Sequence, residues 1–408
     1  MSSFLKNYGS TLLLLAGIVA GGLCGLLIDG AGAAVKPVGD IFLNIIFVLV
    51  VPLVFFSIAS SIYGMSESKM LGRVLGSIVV VFLGMSVVAA VVSYFSCLAF
   101  DPLGEVDRAA LMQGISQGED GGSESFGELI VRALTVSDFG LLLSKSALLP
   151  LIIISALTGY AVSAAGERGK PMAALIDSGL AVTMKVMGAV MHLAPLGLGC
   201  YFASTVASLG GGFLAGYARS LVLYLAIMAL FYFVIHSIYV LLASGRSGLG
   251  RYWKHIVAPS VTAVATCSSA ATMPVLIDSA KKMGVSPRIA DAVIPLGTNL
   301  HKDGSVVSST LKAVFLMSLF SQSIATPGAA LGVMAVAILA AIVLGAVPSG
   351  GLAGEIFICS MMGFGPEMVG IIVVMGTLFD LPATLFNVSA NGVGAVLVDR
   401  LTGKCEEH

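Results

Sequence analysis

The sequence predicts an all-α polytopic membrane protein, and three observations support this fold class. Of its 408 residues, 57% are hydrophobic and 11% are charged, whereas soluble proteins carry about 25% charged residues. Apolar runs of about 20 residues, the length that crosses a bilayer, recur along the chain. Two apolar stretches are interrupted by small residues and proline, which indicates turns at membrane depth.

Breaks in hydropathy divide the chain into elements in a fixed order. Helices are predicted near residues 10–28, 38–64, 72–100, 128–165, 172–207, 214–243, 288–320 and 367–398. Re-entrant hairpins are predicted at about 256–280 and 325–365, because "CSSAATMP" and "GAVPSGG" interrupt these stretches midway. The first helix lacks a small-residue cleavage site, so we interpret it as a retained helix rather than a signal peptide.

The basic residues predict the orientation, since cytoplasmic loops are enriched in them. With a cytoplasmic N-terminus, the basic loops and the C-terminus fall inside and the acidic segment 101–126 falls outside. The expected location is the cell (inner) membrane. A net charge of −1 gives no reason to expect a nucleic-acid partner. Six scattered cysteines without a CxxC pair favour neither disulfides nor metal binding.

The last third repeats one architecture, a hairpin followed by a helix, over 256–320 and 325–398. Paired interrupted segments of this kind indicate a midplane binding site in secondary transporters. Five motifs then fall in a characteristic order: "VVPLVFFSIASSI", "LGRVLGSIVVVF", "TCSSAATMPV", "PLGTNLHKDGS" and "LPATLFNVSANGVGAVLVD". With these motifs the chain resembles the dicarboxylate/amino acid:cation symporters, among them the glutamate-transporter homologues, from about residue 10 to residue 400.

The resemblance implies one transporter, residues 1–408, with eight transmembrane helices and two re-entrant hairpins. It implies a scaffold domain (about 10–64 and 128–207) and a transport domain (about 72–100 and 214–400) that crosses the membrane as an elevator. The second hairpin would be the gate. The implied activity is transport of a small molecule rather than enzyme catalysis, with no cofactor. Membrane lipid and copies of the same chain, in a homotrimer, are the expected partners.

The hairpin tips are expected to hold the substrate. Ser268 and Ser269 match the family's serine-rich first tip, where backbone N–H groups and hydroxyls hold a carboxylate. The alternative is that these serines only cap a buried turn. The resemblance adds Val347 and Gly351 from the second tip and Ser305 from the unwound seventh helix.

The last helix supplies further expected contacts, Asp380, Ala383, Thr384 and Asn387. An isolated carboxylate in an apolar run should meet a cation, and the aspartate matching Asp380 binds the substrate's amino group in the family. A structural ion pair with a lysine is the alternative. Ala383 and Cys267 stand where acidic-substrate members place an arginine, the natural partner of a side-chain carboxylate. We therefore expect a neutral amino acid; glutamate, aspartate or a C4-dicarboxylate is the alternative.

The sequence "HKDGS" replaces the family's Asn-Met-Asp-Gly-Thr, and this change bears on the coupling ion. His301 replaces an asparagine that helps to hold sodium, and Lys302 replaces a methionine whose sulfur faces another sodium. Asn391, Phe82 and Met85 stand where the family has the oxygens of an aspartate, a tyrosine and a threonine, although Ser86 remains. Because hard cations prefer oxygen ligands, sodium binding is doubtful and no metal site is predicted.

Our interpretation is that Lys302 lends its ammonium to the space of a sodium ion, held by Asp303 or by carbonyls of the second hairpin. Three mechanisms remain open. A permanent Lys302–Asp303 or Lys302–Glu355 pair replaces sodium; Lys302 or His301 carries a proton during transport, since burial disfavours a charged lysine; or some sodium use persists. Ser309 stands where proton-coupled relatives carry an acidic residue, so that route is not supported.

Two other function classes fit parts of the sequence. Ser268 or Ser269 with Lys302 would suit the Ser–Lys dyad of an intramembrane hydrolase, but no second catalytic motif accompanies them. A channel is the other class, because domain motion in this family can open a passive anion path.

Overall fold

The computed structural model describes residues 2–67, 72–104, 135–144, 147–209, 211–346, 351–365 and 367–403, and every regular element in these ranges is a helix. The helices are α1 Ser2–Leu27, α2 Ala31–Glu67, α3 Gly72–Ala99, α4 Phe139–Leu142, α5 Leu148–Ala164, α6 Lys170–Met191, α7 Ala194–Leu209, α8 Gly211–Ala229, α9 His236–Thr266, α10 Ser269–Met283, α11 Pro287–Leu300, α12 Asp303–Leu319, α13 Pro327–Ala346, α14 Gly351–Met362 and α15 Glu367–Gly403. A 3₁₀ turn, Gly166–Gly169, precedes α6, and a π-helical turn, Leu230–Ile235, joins α8 to α9.

The outer surface of the helices is apolar. Leu27, Val48 and Leu242 are 77%, 73% and 78% exposed, which is the pattern of a surface that meets lipid. Among the described residues, five helical segments are long and apolar enough to cross a membrane: 31–60, 76–99, 166–191, 214–266 and 368–403. The predicted membrane class is supported, whereas the predicted number of eight spans stays a prediction.

The helices pack in two groups. In the first, α1 and α2 pack on α7, and α2 also contacts α5 and α6. In the second, α3 and α9 to α15 pack on one another, and α15 contacts α9, α11, α12 and α14. The centre of the second group is α12, which is buried along its whole length except at the half-buried Ser305. The division into a fixed scaffold and a moving domain stays a prediction.

Three predicted helices have different limits in the structure. The helix predicted near 128–165 is confirmed over Leu148–Ala164. It is wrong upstream of that helix in the described residues, because Asp138 accepts a hydrogen bond from Gly140 N at 2.8 Å and begins a separate four-residue helix. The predicted helix 172–207 is divided at 192–193, where Pro195 favours a new helix start. The predicted helix 214–243 runs on to Gly245, whose positive φ of 66° breaks the helical path before the arm 246–266.

The two predicted interruptions lie between paired helical arms. The first falls at Cys267 and Ser268, between α9 and α10. The second falls between α13 and α14. Its tip, residues 347–350, lies outside the described residues, and the expected site residue Val347 is one of these four.

The α1 and α7 backbones approach so closely that only small residues fit between them. A Cβ added to Gly21 would collide with the carbonyl oxygen of Gly199, and one added to Gly25 would collide with that of Ala203. Glycines spaced four residues apart lie on one face of a helix, an arrangement that brings membrane helices into close contact.

A buried ion pair joins α12 to α14. Lys312 Nζ lies 2.5 Å from Glu355 Oε1, and the two side chains are 3% and 1% exposed. Gly376 of α15 covers the pair, since a Cβ there would lie 2.5 Å from Glu355 Oε1. Glu355 Oε2 has no hydrogen-bond partner among the described residues. The carboxylate therefore depends on Lys312 for compensation of its charge.

We predict that Gly21→Ala lowers the melting temperature of the detergent-solubilised protein and that Gly84→Ala does not. The methyl group at position 21 meets a backbone carbonyl, which yields only if α1 and α7 separate, at a cost of about 1–3 kcal/mol. A Cβ at Gly84 has nothing within 4 Å, so alanine there only gains helix propensity. Thermal unfolding followed by tryptophan fluorescence checks this, and equal melting temperatures for the two variants would contradict the close approach.

We also predict that Lys312→Met and Glu355→Leu each destabilise the protein by about 3–5 kcal/mol, because each leaves a buried charge unpaired. The double variant should recover most of this loss, since no buried charge remains. The matched control is the exposed pair Lys282–Asp278, whose side chains are 57% and 65% exposed and whose replacement should change little. Additive losses in a double-mutant cycle of unfolding free energies would show that the buried pair is not coupled.

Candidate substrate and ion site

The first hairpin tip presents the start of a helix. Cys267 adopts a left-handed conformation (φ 47°) that ends α9, and Ser268 is extended and forms the N-cap of α10. Ser268 Oγ accepts a hydrogen bond from Ala271 N at 3.2 Å. Ser268 and the neighbouring Ser269 are half-buried. Ser268 thus caps the turn, as the alternative interpretation expected, and the same helix start retains N–H groups suited to a carboxylate.

The chain is unwound between α11 and α12, at His301 and Lys302. Their ψ angles of 108° and 74° are not helical. The adjacent Gly304 is pressed against α15: its N–H donates to Asn387 Oδ1 at 2.9 Å, and its carbonyl accepts from Tyr224 OH at 3.1 Å. A Cβ at Gly304 would lie 2.7 Å from the carbonyl oxygen of Ala383, so this approach requires glycine. Asn387 therefore fixes the break with the oxygen of its amide.

Asp303, Asn391 and Phe82 contact the ring of His301, a residue that is 1% exposed. Nε2 lies 2.9 Å from Asp303 Oδ1, and Nδ1 lies 3.0 Å from Asn391 Oδ1. The Nε2 contact is close but lacks hydrogen-bond direction, so it is mainly electrostatic. Ser86 Oγ donates to the same Asp303 oxygen at 2.8 Å. The ring stacks on Phe82, with centroids 4.3 Å apart and planes 5° apart.

Asp380 is exposed, although the residues of α15 around it are buried or half-buried. An exposed carboxylate at such a position predicts a cleft there. Lys302 and Ser305 are half-buried at the unwound segment. Thr384 is buried, and its hydroxyl donates to the Asp380 carbonyl at 3.0 Å.

The structure corrects the expected pairing of Lys302. Both carboxylates named as its partners face other cations: Asp303 contacts His301, and Glu355 pairs with Lys312. The group among the oxygens of Asp303 and Asn391 is therefore an imidazole rather than an ammonium.

Sequence reasoning missed the role of Lys312. The signal was present, because a lone lysine within an apolar helix requires a buried counter-charge, and Glu355 is the acidic residue in the arm that packs on that helix. The site residues expected from α12 and α15 come together around the unwound segment. Gly351 begins α14, and its substrate contact stays a prediction, as does that of each other site residue.

Comparisons with known proteins agree with this architecture. The profile of the "Sodium:dicarboxylate symporter family" matches residues 11–401. The "C4-dicarboxylate transport protein" of Rhodospirillum rubrum is 29% identical over 74% of this chain and 68% of its own length. A second such protein, from Ralstonia nicotianae, is 31% identical over 72% and 66%. The "Proton/sodium-glutamate symport protein" of Bacillus caldotenax is 23% identical over 99% and 97%. With a match over nearly its whole length and the paired interrupted helices, this chain belongs to the sodium:dicarboxylate symporter family of membrane transporters.

Proposed function

We propose that the protein is a secondary transporter of a small carboxylate-bearing solute and that its transport is independent of sodium. The observation that carries the proposal is the exposed carboxylate of Asp380 on α15, the helix that contacts the unwound segment through Asn387. The elevator motion, the homotrimer, the inner-membrane location and the cytoplasmic termini belong to the same proposal and rest on the family resemblance.

The first candidate substrate is a neutral amino acid. Its ammonium group would meet the exposed Asp380, and its carboxylate would meet the α10 N-terminus at Ser268. Ala383 and Cys267 provide no cation for a second carboxylate.

The second candidate is an acidic substrate, either glutamate or a C4-dicarboxylate. The names of the relatives favour it, and so does the half-buried Lys302. A lysine on the unwound segment would supply the cation that position 383 lacks. The two candidates differ in whether the substrate carries a second carboxylate. Among the acidic substrates, glutamate has an ammonium group for Asp380 and a C4-dicarboxylate has none.

We predict that Asp380→Asn abolishes binding of neutral amino acids, because the partner of the substrate ammonium is removed. A C4-dicarboxylate should bind Asp380→Asn at least as tightly as the unmodified protein, since a like charge is removed. Calorimetric titration of alanine, serine, glutamate, aspartate and succinate checks this. Asp278→Asn, at an exposed position on α10, is the control. Tight succinate binding with no response to any neutral amino acid would establish the second candidate.

We predict that the dissociation constant of the bound substrate is the same in sodium chloride and in choline chloride. A coupled ion raises substrate affinity by its coupling factor, about tenfold for every 1.4 kcal/mol. The imidazole of His301 occupies the space between the oxygens of Asp303 and Asn391, and Phe82, which stacks on the ring, offers no oxygen ligand. A sodium-dependent gain of tenfold or more in the unmodified protein would refute sodium independence, whichever substrate is bound.

A further inference from the structure

The oxygens beside His301 converge on its ring. Asp303 Oδ1 faces one ring nitrogen at 2.9 Å and Asn391 Oδ1 faces the other at 3.0 Å. These two residues come from different helices, α12 and α15, and the ring joins them. A bound monovalent cation would join a carboxylate and an amide oxygen in the same way, because it attracts oxygens without strict direction.

The residues present do not fit a sodium ion at this position. The space between the two oxygens is filled by the imidazole, and its face is covered by Phe82 at a stacking distance of 4.3 Å. The ring of Phe82 packs directly against Gly297 and Gly394. A Cβ on either glycine would lie within 3.0 Å of the Phe82 ring. The nearby Met85 is 3% exposed and has a thioether, which is a poor ligand for a hard cation.

We propose that His301 sets the cation specificity of the transporter by standing in for the bound cation between Asp303 and Asn391. This inference rests on the proposed function and deepens it. The ring places Nε2 2.9 Å from the carboxylate and Nδ1 3.0 Å from the amide oxygen, so the packing of α12 on α15 no longer requires an ion from solution. The oxygens of Asp303, Asn391 and Ser86 remain able to bind sodium once the ring is removed.

Lys302 does not fill this position. It is half-buried, and the imidazole of His301 already occupies the space between the two oxygens. His236, the other buried histidine nearby, has no hydrogen-bond partner for either ring nitrogen among the described residues, whereas both His301 nitrogens have an oxygen within 3.0 Å. The contacts that replace an ion therefore belong to His301.

The test is direct binding of sodium to the substrate-free protein. The double variant His301→Asn/Asn391→Asp removes the ring and supplies a second carboxylate. Sodium chloride, compared with choline chloride at equal ionic strength, should raise its melting temperature in a saturable manner, as a ligand of the native state does. The unmodified protein and His192→Asn, which alters an exposed histidine at the end of α6, should show no such rise.

The outcomes separate the inference from the proposed function. If sodium changes the melting temperature of neither the folded double variant nor the unmodified protein, His301 does not set the cation specificity, and the proposed sodium independence stands. If the unmodified protein responds to sodium, the proposed sodium independence fails. Should the double variant not fold, His301→Gln takes the same test. The histidine ¹⁵N chemical shifts of the unmodified protein test the inference without any variant. A sodium-dependent change in the chemical shift of His301 would overturn the inference.

Discussion

The break in the helical path at His301 and Lys302 is the constraint on which the rest of the site depends. Unwinding a helix in the apolar interior frees backbone N–H and carbonyl groups that have no water to bind. Here the protein supplies replacements from two other helices. Asn387 accepts from the N–H of Gly304, and Tyr224 donates to its carbonyl. Because these partners must reach the backbone itself, residue 304 has no side chain, and α12 and α15 lie in direct contact at this point.

The helix that follows the break carries buried charges, and other groups of the protein compensate them. Asp303 begins α12, where the helix N-terminus favours a carboxylate. Its carboxylate accepts a hydrogen bond from the hydroxyl of Ser86 and contacts the imidazole of His301. Farther along α12, Lys312 is compensated by Glu355 of α14. Each buried charge thus has an opposite partner or a donor from a different helix. These contacts join α3, α12, α14 and α15 into one unit around the cleft.

Much of this arrangement follows from local sequence, and the remainder does not. The interruption at Cys267 and Ser268 was predictable, because a run of small polar residues cannot continue a membrane helix. The start of α5 was not, because its apolar pattern extends upstream through a segment in which Asp138 caps a separate short helix. The sequence signals that Lys312 needs a buried counter-charge, but it does not identify the partner. Glu355 lies 43 residues from Lys312 along the chain and was one of two partners expected for Lys302, because sequence does not show which face of α14 meets which turn of α12.

The positions around the ring form a consistent set only when they are considered together. An imidazole at 301 requires a flat apolar neighbour, which Phe82 provides by stacking. That phenyl ring needs the space left by Gly297 and Gly394. On its other edge the imidazole needs an acceptor, which Asn391 provides without adding a second buried carboxylate. Replacing Asn391 by aspartate while the ring remains would place two carboxylates around one imidazole, with a surplus negative charge in the interior. The departures at positions 82, 301 and 391 therefore depend on one another physically, and a single substitution among them leaves either a cavity or an uncompensated charge.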